Sequence, residues 1–226
     1  MSELTRQHNY PGRLIVVEGI DGSGKTTQAL LLRKWLEARG VPTTFTEWNS
    51  SILVKKATKA GKKRTELTPT TFSLLHATDF ADRHLYHIVP PLKAGFVVIA
   101  DRYAYTAFAR DMARGVHPEW VRSMYSFATK PDLALYFRIT SELGLERLMS
   151  ARAKVKYYEA GMDMGLSPDI GESFGIFQGR VIENYDKMVD EFGLTVIDAT
   201  QSIAGMQKLV REIVKTRLGF GSGGEQ

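Results

Sequence analysis

The clearest chemistry in the chain sits in Gly19-Ile20-Asp21-Gly22-Ser23-Gly24-Lys25-Thr26, followed by Thr27 and Gln28. The stretch fits G-x-x-x-x-G-K-[ST], a loop whose backbone N–H groups close around a phosphate chain. Glycines suit it because a side chain there would crowd the ligand. Lys25 would reach the outer phosphates, and the Thr26 hydroxyl would hold a magnesium ion. Gly19, Asp21, Gly22, Ser23, Gly24, Lys25, Thr26 and Thr27 are thus the candidate ATP-binding residues. A second pair, Asp101-Arg102, follows the apolar run Phe96-Val97-Val98-Ile99-Ala100. Asp101 can orient a magnesium ion, partly through water, or accept from a substrate hydroxyl; it can also cap a helix opening at Tyr103. Arg102 beside it offers a fork matched to phosphate, which favours the chemical role.

Both pieces need strands to deliver them. Leu14-Ile15-Val16-Val17 reads as a buried strand ahead of the glycine-rich loop, and Ala29 to Leu36 as the amphipathic helix behind it. Further strands are predicted at 43–46, 96–100, 133–137 and 194–197. Helices are predicted at 52–60, 69–89, 103–113, 118–129, 141–151, 172–191 and 203–218. Residues 61–68 read as a loop. Alternating strands and helices imply a doubly wound α/β domain over 13–218, with a five-stranded parallel sheet flanked by helices. Residues 1–12 read as a flexible extension and 219–226 as a flexible tail. The segment 152–171 is longer than ordinary connections and reads as a lid.

Composition narrows the class. A chain of 226 residues with 43% apolar and 24% charged content suits one soluble domain. No apolar run approaches the ~20 residues needed to cross a bilayer. The first residues are too polar for a signal peptide, and cysteine is absent, which together suit the cytoplasm. The net charge of +5 is spread over several segments, with one cluster at Lys55, Lys56, Lys59, Lys62, Lys63 and Arg64. That cluster reads as a solvated helix face or a substrate-steering patch, and neither nucleic acid nor membrane is expected as a partner. His84 and His87 lack a third ligand and read as packing or surface residues. Trp120, Tyr125 and Phe127 read as core.

The chain resembles the thymidylate kinases. The likeness rests on Glu18 to Gln28, on Asp101-Arg102-Tyr103, on Lys130-Pro131-Asp132-Leu133 and on Val196-Ile197-Asp198-Ala199-Thr200. It implies transfer of the γ-phosphoryl group of ATP to dTMP with Mg2+, in a homodimer whose 69–89 helix is a candidate interface. Asp21 would lie near the acceptor sugar and phosphate, and Arg102 would hold the acceptor phosphate. Some members carry an arginine at the position after the loop aspartate; here it is Gly22. The alternative pattern takes the cation from the lid, where Arg152, Lys154 and Lys156 stand, with Arg152 the catalytic candidate. Tyr158, in Tyr157-Tyr158-Glu159, resembles an element that touches the acceptor nucleoside.

The base pocket departs from the family pattern. An aromatic normally follows a Leu-Leu pair, with an arginine one turn later; here Leu74-Leu75 is followed by His76, and the later position is Phe80, with Arg83 nearby. The second strand ends in Thr46-Glu47-Trp48-Asn49 instead of an arginine and a proline. The stretch after Asp101-Arg102 reads Thr106-Ala107-Phe108-Ala109-Arg110-Asp111. His76, Phe80, Arg83, Arg102, Asp21 and Tyr158 are the acceptor-binding candidates. An altered acceptor, or a phosphate-loop ATPase or switch without an acceptor, stands as the alternative.

Overall fold

A computed structural model describes residues 7–152 and 154–220. Its centre is β1 (Arg13–Glu18), in which Leu14 to Val17 are buried. They are apolar in succession because β1 is covered on both faces and bonded on both edges. It pairs in parallel with β3 (Val97–Asp101) on one side and β4 (Leu133–Arg138) on the other. β2 (Thr43–Glu47) and β5 (Thr195–Asp198) close the sheet in the order β2-β3-β1-β4-β5, all parallel. Connections leave β1 and β3 in opposite directions, so the crevice between their carboxyl ends is where such a sheet takes ligands. The register sets Val17 opposite Asp101, bringing the glycine-rich loop and Asp101-Arg102 side by side.

The helices follow their capping and apolar signals, with some differences. α1 (Lys25–Glu37) buries Ala29, Leu32, Trp35 and Leu36 on one face. α2 (Lys55–Arg64) runs through Gly61, where a loop is predicted; a Cβ there would come within 2.4 Å of the Leu67 side chain folding back on the helix. α3 (Pro69–Arg83) opens with Thr68 accepting from Thr71 N and with Pro69 in the first turn. The predicted 69–89 helix is broken: a π-helical turn spans His84–Ile88, then α4 covers Val89–Lys93. Pro90 and Pro91 have no N–H to give the preceding turn, and the helix widens there.

α5 (Ala104–Ala113) leaves the end of β3, and α6 (Pro118–Met124) stops short of the predicted residue 129. α7 (Ser141–Ala151), α8 (Ile170–Phe192) and α9 (Ile203–Leu218) are capped by Thr140, Asp169 and Ser202. Between α7 and α8 the chain packs more than a free loop would. Val155 and Ala160 are buried with Phe174, Ser173 Oγ donates to Ala160 O at 2.7 Å, and Gln178 Nε2 to Glu159 O at 2.7 Å. Residues 7–12 are tied down too: His8 Nε2 lies 3.1 Å from Asp132 Oδ2, and Gly12 N donates to Leu92 O at 2.9 Å. The rest of the predicted extension, residues 1–6, and residues 221–226 of the predicted tail lie outside the described residues.

Candidate active site

The glycine-rich loop joins β1 to α1, and Gly24 caps α1 in a left-handed conformation, φ 81°. Lys25 Nζ donates to Ile20 O at 3.2 Å, and Ser23 Oγ is buried without a partner. Burial and the nearby Arg102 charge push the Lys25 ammonium down to about 8, against the pull of Asp21 and Asp101. Gly22 has φ +86°, and a Cβ on it would lie 2.3 Å from Gly144 O of α7. α7 thus seals the position where an in-loop arginine would stand.

Asp101 does not cap α5, which has no side-chain cap. Its Oδ2 instead accepts from Thr26 Oγ1 at 2.5 Å, while Oδ1 is buried without a partner. An orphaned carboxylate oxygen beside a hydroxyl is a donor set that suits a hard cation such as magnesium. Next to it, Glu18 is fully buried and accepts from Tyr103 N at 2.7 Å, Thr106 Oγ1 at 2.6 Å and Tyr185 OH at 2.7 Å. Burial raises the Glu18 carboxyl, and these donors oppose the rise. The first two bonds fasten the end of β1 to the start of α5, and the third ties it to α8.

Between them sits Arg102, with φ 70°, a conformation uncommon outside glycine. Its Nη2 donates to Asp21 Oδ1 at 2.5 Å and its Nη1 to Gly19 O at 3.3 Å. Arg110 Nη1 donates to Asp21 Oδ2 at 2.7 Å. Burial would raise the Asp21 carboxyl, but Arg110, Arg102 and Lys25 outweigh it and hold the group well below the usual carboxylate range. One carboxylate thus stands between two guanidinium forks, where a phosphate's oxygens would also fit.

This cluster opens into a cavity of ≈ 490 Å³. Asp21, Arg102, Thr106 and Arg110 form its charged end; Trp48, Phe72, His76 and Tyr158 line it further in; Lys59, Lys62 and Lys63 of α2 and Lys156 edge it. His76 and Tyr158 are therefore brought together with Asp21 and Arg102. Phe80 and Arg83 are not. Phe80 is fully buried against Tyr103, Tyr125 and Phe127, because one turn beyond His76 that face of α3 meets the core. Arg83 is fully buried as well, donating Nε to Thr46 Oγ1 at 3.0 Å and Nη2 to the Arg102 carbonyl at 3.4 Å. It braces Arg102 from behind and does not reach the cavity. Arg152 does not line the cavity either; at the end of α7 it pairs with Glu159, whose other oxygen lies 3.3 Å from Lys156 Nζ.

Sequence reasoning passed over Arg110 and Thr106 as site residues. Their signal was spacing: Thr106 and Arg110 stand four apart on one side of α5, close behind Arg102 in the chain. The α2 lysines, read as a solvated helix face or a substrate-steering patch, put Lys59, Lys62 and Lys63 at the cavity. Lys62 is pushed down to about 8 by burial and by Arg110, Arg114 and Lys156, with its Nζ 5.0 Å from the Phe72 ring.

The thymidylate kinase family model matches residues 17–210. The chain belongs to the thymidylate kinase family. It is 47% identical over 204 residues to a probable thymidylate kinase 2 of Saccharolobus solfataricus, covering 90% of this chain and 95% of that protein. Probable thymidylate kinases of Staphylothermus marinus, 32% identical, and of Thermococcus kodakarensis, 30% identical, are covered over 98% of their lengths by 92% and 91% of this chain. As a member of the thymidylate kinase family it is a nucleoside monophosphate kinase, and the reading as a phosphate-loop switch is not favoured. Among the described residues no helix is long and apolar enough to cross a membrane.

Proposed function

We propose that the chain transfers the γ-phosphoryl group of ATP to dTMP, giving dTDP. The observation that carries this is the Arg102–Asp21–Arg110 cluster, set between the phosphate loop and an aromatic-walled cavity. Residues 19–27 bind ATP, with Lys25 reaching its outer phosphates. Arg102 and Arg110 take the acceptor phosphate, which competes with the Asp21 carboxylate for their forks. Asp21, released, lies within reach of the acceptor sugar and phosphate. Thr26 and Asp101 would hold a magnesium ion, Asp101 partly through water, and the ion would supply positive charge against the charge that develops on the transferring group. The residues act by positioning the two nucleotides and by meeting that charge with fixed cations. Arg152, with Lys154 and Lys156, lies on the lid and enters only when both nucleotides are in place.

A homodimer is supported by exposed apolar side chains on α3 and the turn after it, Leu74, Leu85 and Tyr86, together with Leu53. A cytoplasmic setting accords with the chain's lack of cysteine and with its nucleotide substrates. Release of ADP, followed with ATP alone and then with dTMP, dUMP, dCMP, dGMP and dAMP, tests the reading. ADP release that depends on dTMP supports it. Equal release with and without any monophosphate would point to an ATPase, and dependence on another monophosphate to an altered acceptor.

A further inference from the structure

The inner wall of the cavity holds a polar chain that no phosphate requires. Ser73 Oγ donates to Asp111 Oδ2 at 2.8 Å, and His76 Nδ1 lies 3.0 Å from Asp111 Oδ1. All three residues are buried, and His76 lines the cavity. A carboxylate can only accept, so the Nδ1 facing it carries the proton. Burial holds the His76 imidazole below its ordinary value, with Lys62 and Arg114 adding to the effect and Asp111 opposing it, so the ring is neutral at pH 7. A neutral imidazole protonated at Nδ1 presents a bare lone pair at Nε2.

The ring cannot easily serve as a stacking surface. Phe72 packs against it with centroids 4.2 Å apart, and Trp48 meets it edge-on at 5.4 Å. What remains is its Nε2 edge. That atom makes no hydrogen bond among the described residues, yet it is not among the atoms sealed from solvent without a partner.

We propose that His76 reads the acceptor base through Nε2 as a fixed hydrogen-bond acceptor, selecting bases that present a ring N–H over bases that present a ring lone pair. Thymine and uracil offer N3–H; cytosine offers a bare N3, and two acceptors would face each other at a buried imidazole. Asp111 and Ser73 are positioning residues that set the tautomer. The inference rests on the cavity being the acceptor site. A purely structural role would tie α3 to α5 with no bearing on the choice of base.

Initial rates with dTMP, dUMP and dCMP at saturating ATP, for the unmodified protein and for His76→Phe and Asp111→Asn, test this. The unmodified protein should prefer dTMP and dUMP to dCMP by roughly 100-fold or more in kcat/KM. His76→Phe should reduce that preference by roughly tenfold or more through loss on dTMP and dUMP, with the KM for ATP unchanged. Asp111→Asn, which no longer fixes the proton, should raise the rate on dCMP relative to dTMP. An active His76→Phe with an unchanged dTMP-to-dCMP ratio overturns the inference and leaves the kinase reading intact. Failure of the unmodified protein to use any pyrimidine monophosphate overturns both. Long-range 15N–1H spectra of the unmodified protein give an answer that needs no variant to fold: His76 protonated at Nδ1 supports the inference, and protonation at Nε2 defeats it.

Discussion

Arg102 and Asp21 meet through Nη2 and Oδ1 at 2.5 Å, although they lie 81 residues apart and Arg102 must hold φ at 70°. A non-glycine residue in that region costs about 1–3 kcal/mol and persists only where its surroundings hold it. Those surroundings are visible: Arg102 N donates to Val17 O at 3.0 Å, Glu18 fixes the next residue's N–H, and Arg83 reaches the Arg102 carbonyl. The strain points the guanidinium across the crevice, to where Asp21 and Arg110 already assemble.

From this geometry, Arg102→Ala and Arg110→Ala should each weaken use of the acceptor while sparing ATP. Loss of one charged fork on a transferring or accepting phosphate commonly costs about 100- to 1,000-fold in rate. The acceptor's kcat/KM should fall by that order, and ATP affinity measured without acceptor should stay within a few-fold. An equal loss toward both nucleotides would remove these arginines from the acceptor side.

Much of this arrangement could be read from the chain, for reasons that can be named. β1 and β3 are covered on both faces, so Leu14–Val17 and Val97–Ala100 are unbroken apolar runs, and the residues following them must emerge at one edge of the sheet. The phosphate loop declares itself because its glycines and lysine are local to one turn. Phe80 and Arg83 were harder, since spacing puts them on the same face of α3 as Phe72 and His76 but does not show where along that face the cavity gives way to the core. Gly144 left no local signal, because its role is a contact with Gly22 across the fold. The pairing of Arg152 with Glu159 likewise depends on how the segment after α7 folds back.

Lys25 should give the reaction an alkaline limb. Burial lowers its ammonium from 10.5 to about 8, and a bound triphosphate would favour the charged form. ATP binding therefore takes up a proton above pH 8, and ATP affinity falls as pH rises through about 8, by at most about tenfold per unit. Stability moves the other way. The folded protein binds fewer protons at Lys25 than the unfolded chain between about 8 and 10.5, so the group's unfavourable contribution below that window is relieved as pH rises through it. Calorimetric ATP titrations and denaturant melts across pH 7–10 check both; ATP affinity flat through pH 8 to 10 would contradict the lysine's assigned place.

Gly22 should tolerate no side chain. Its φ of +86° disfavours one, and the backbone oxygen of Gly144 would lie 2.3 Å from the new Cβ. Gly22→Ala should cost about 1–3 kcal/mol or more in urea melts and weaken ATP binding, since α7 or the loop must give way. Gly22→Arg should fare no better and should not supply a loop cation. A stable, tightly ATP-binding Gly22→Ala would show that α7 does not seal the loop.

Arg152 and Glu159 offer the sharpest choice between a lid cation and a local staple. The two side chains pair at the end of α7, and Lys156 Nζ stands 3.3 Å from the other Glu159 oxygen. If that pairing is the whole role, Arg152→Ala and Glu159→Gln both remove its ion pair, the second together with the Lys156 contact. Each should then lower stability and leave kcat untouched. If Arg152 leaves Glu159 to meet charge on the transferring group, the two variants diverge. Arg152→Ala should lower kcat and kcat/KM together, by roughly 100-fold or more, with ATP binding to the free protein unchanged. Glu159→Gln frees the guanidinium and should not lower kcat. Steady-state rates at saturating acceptor, set beside ATP titrations without it, separate the two. Matching kcat values for the two variants and the unmodified protein would end the lid assignment, because a cation needed in the closed state cannot be deleted without slowing the step it serves.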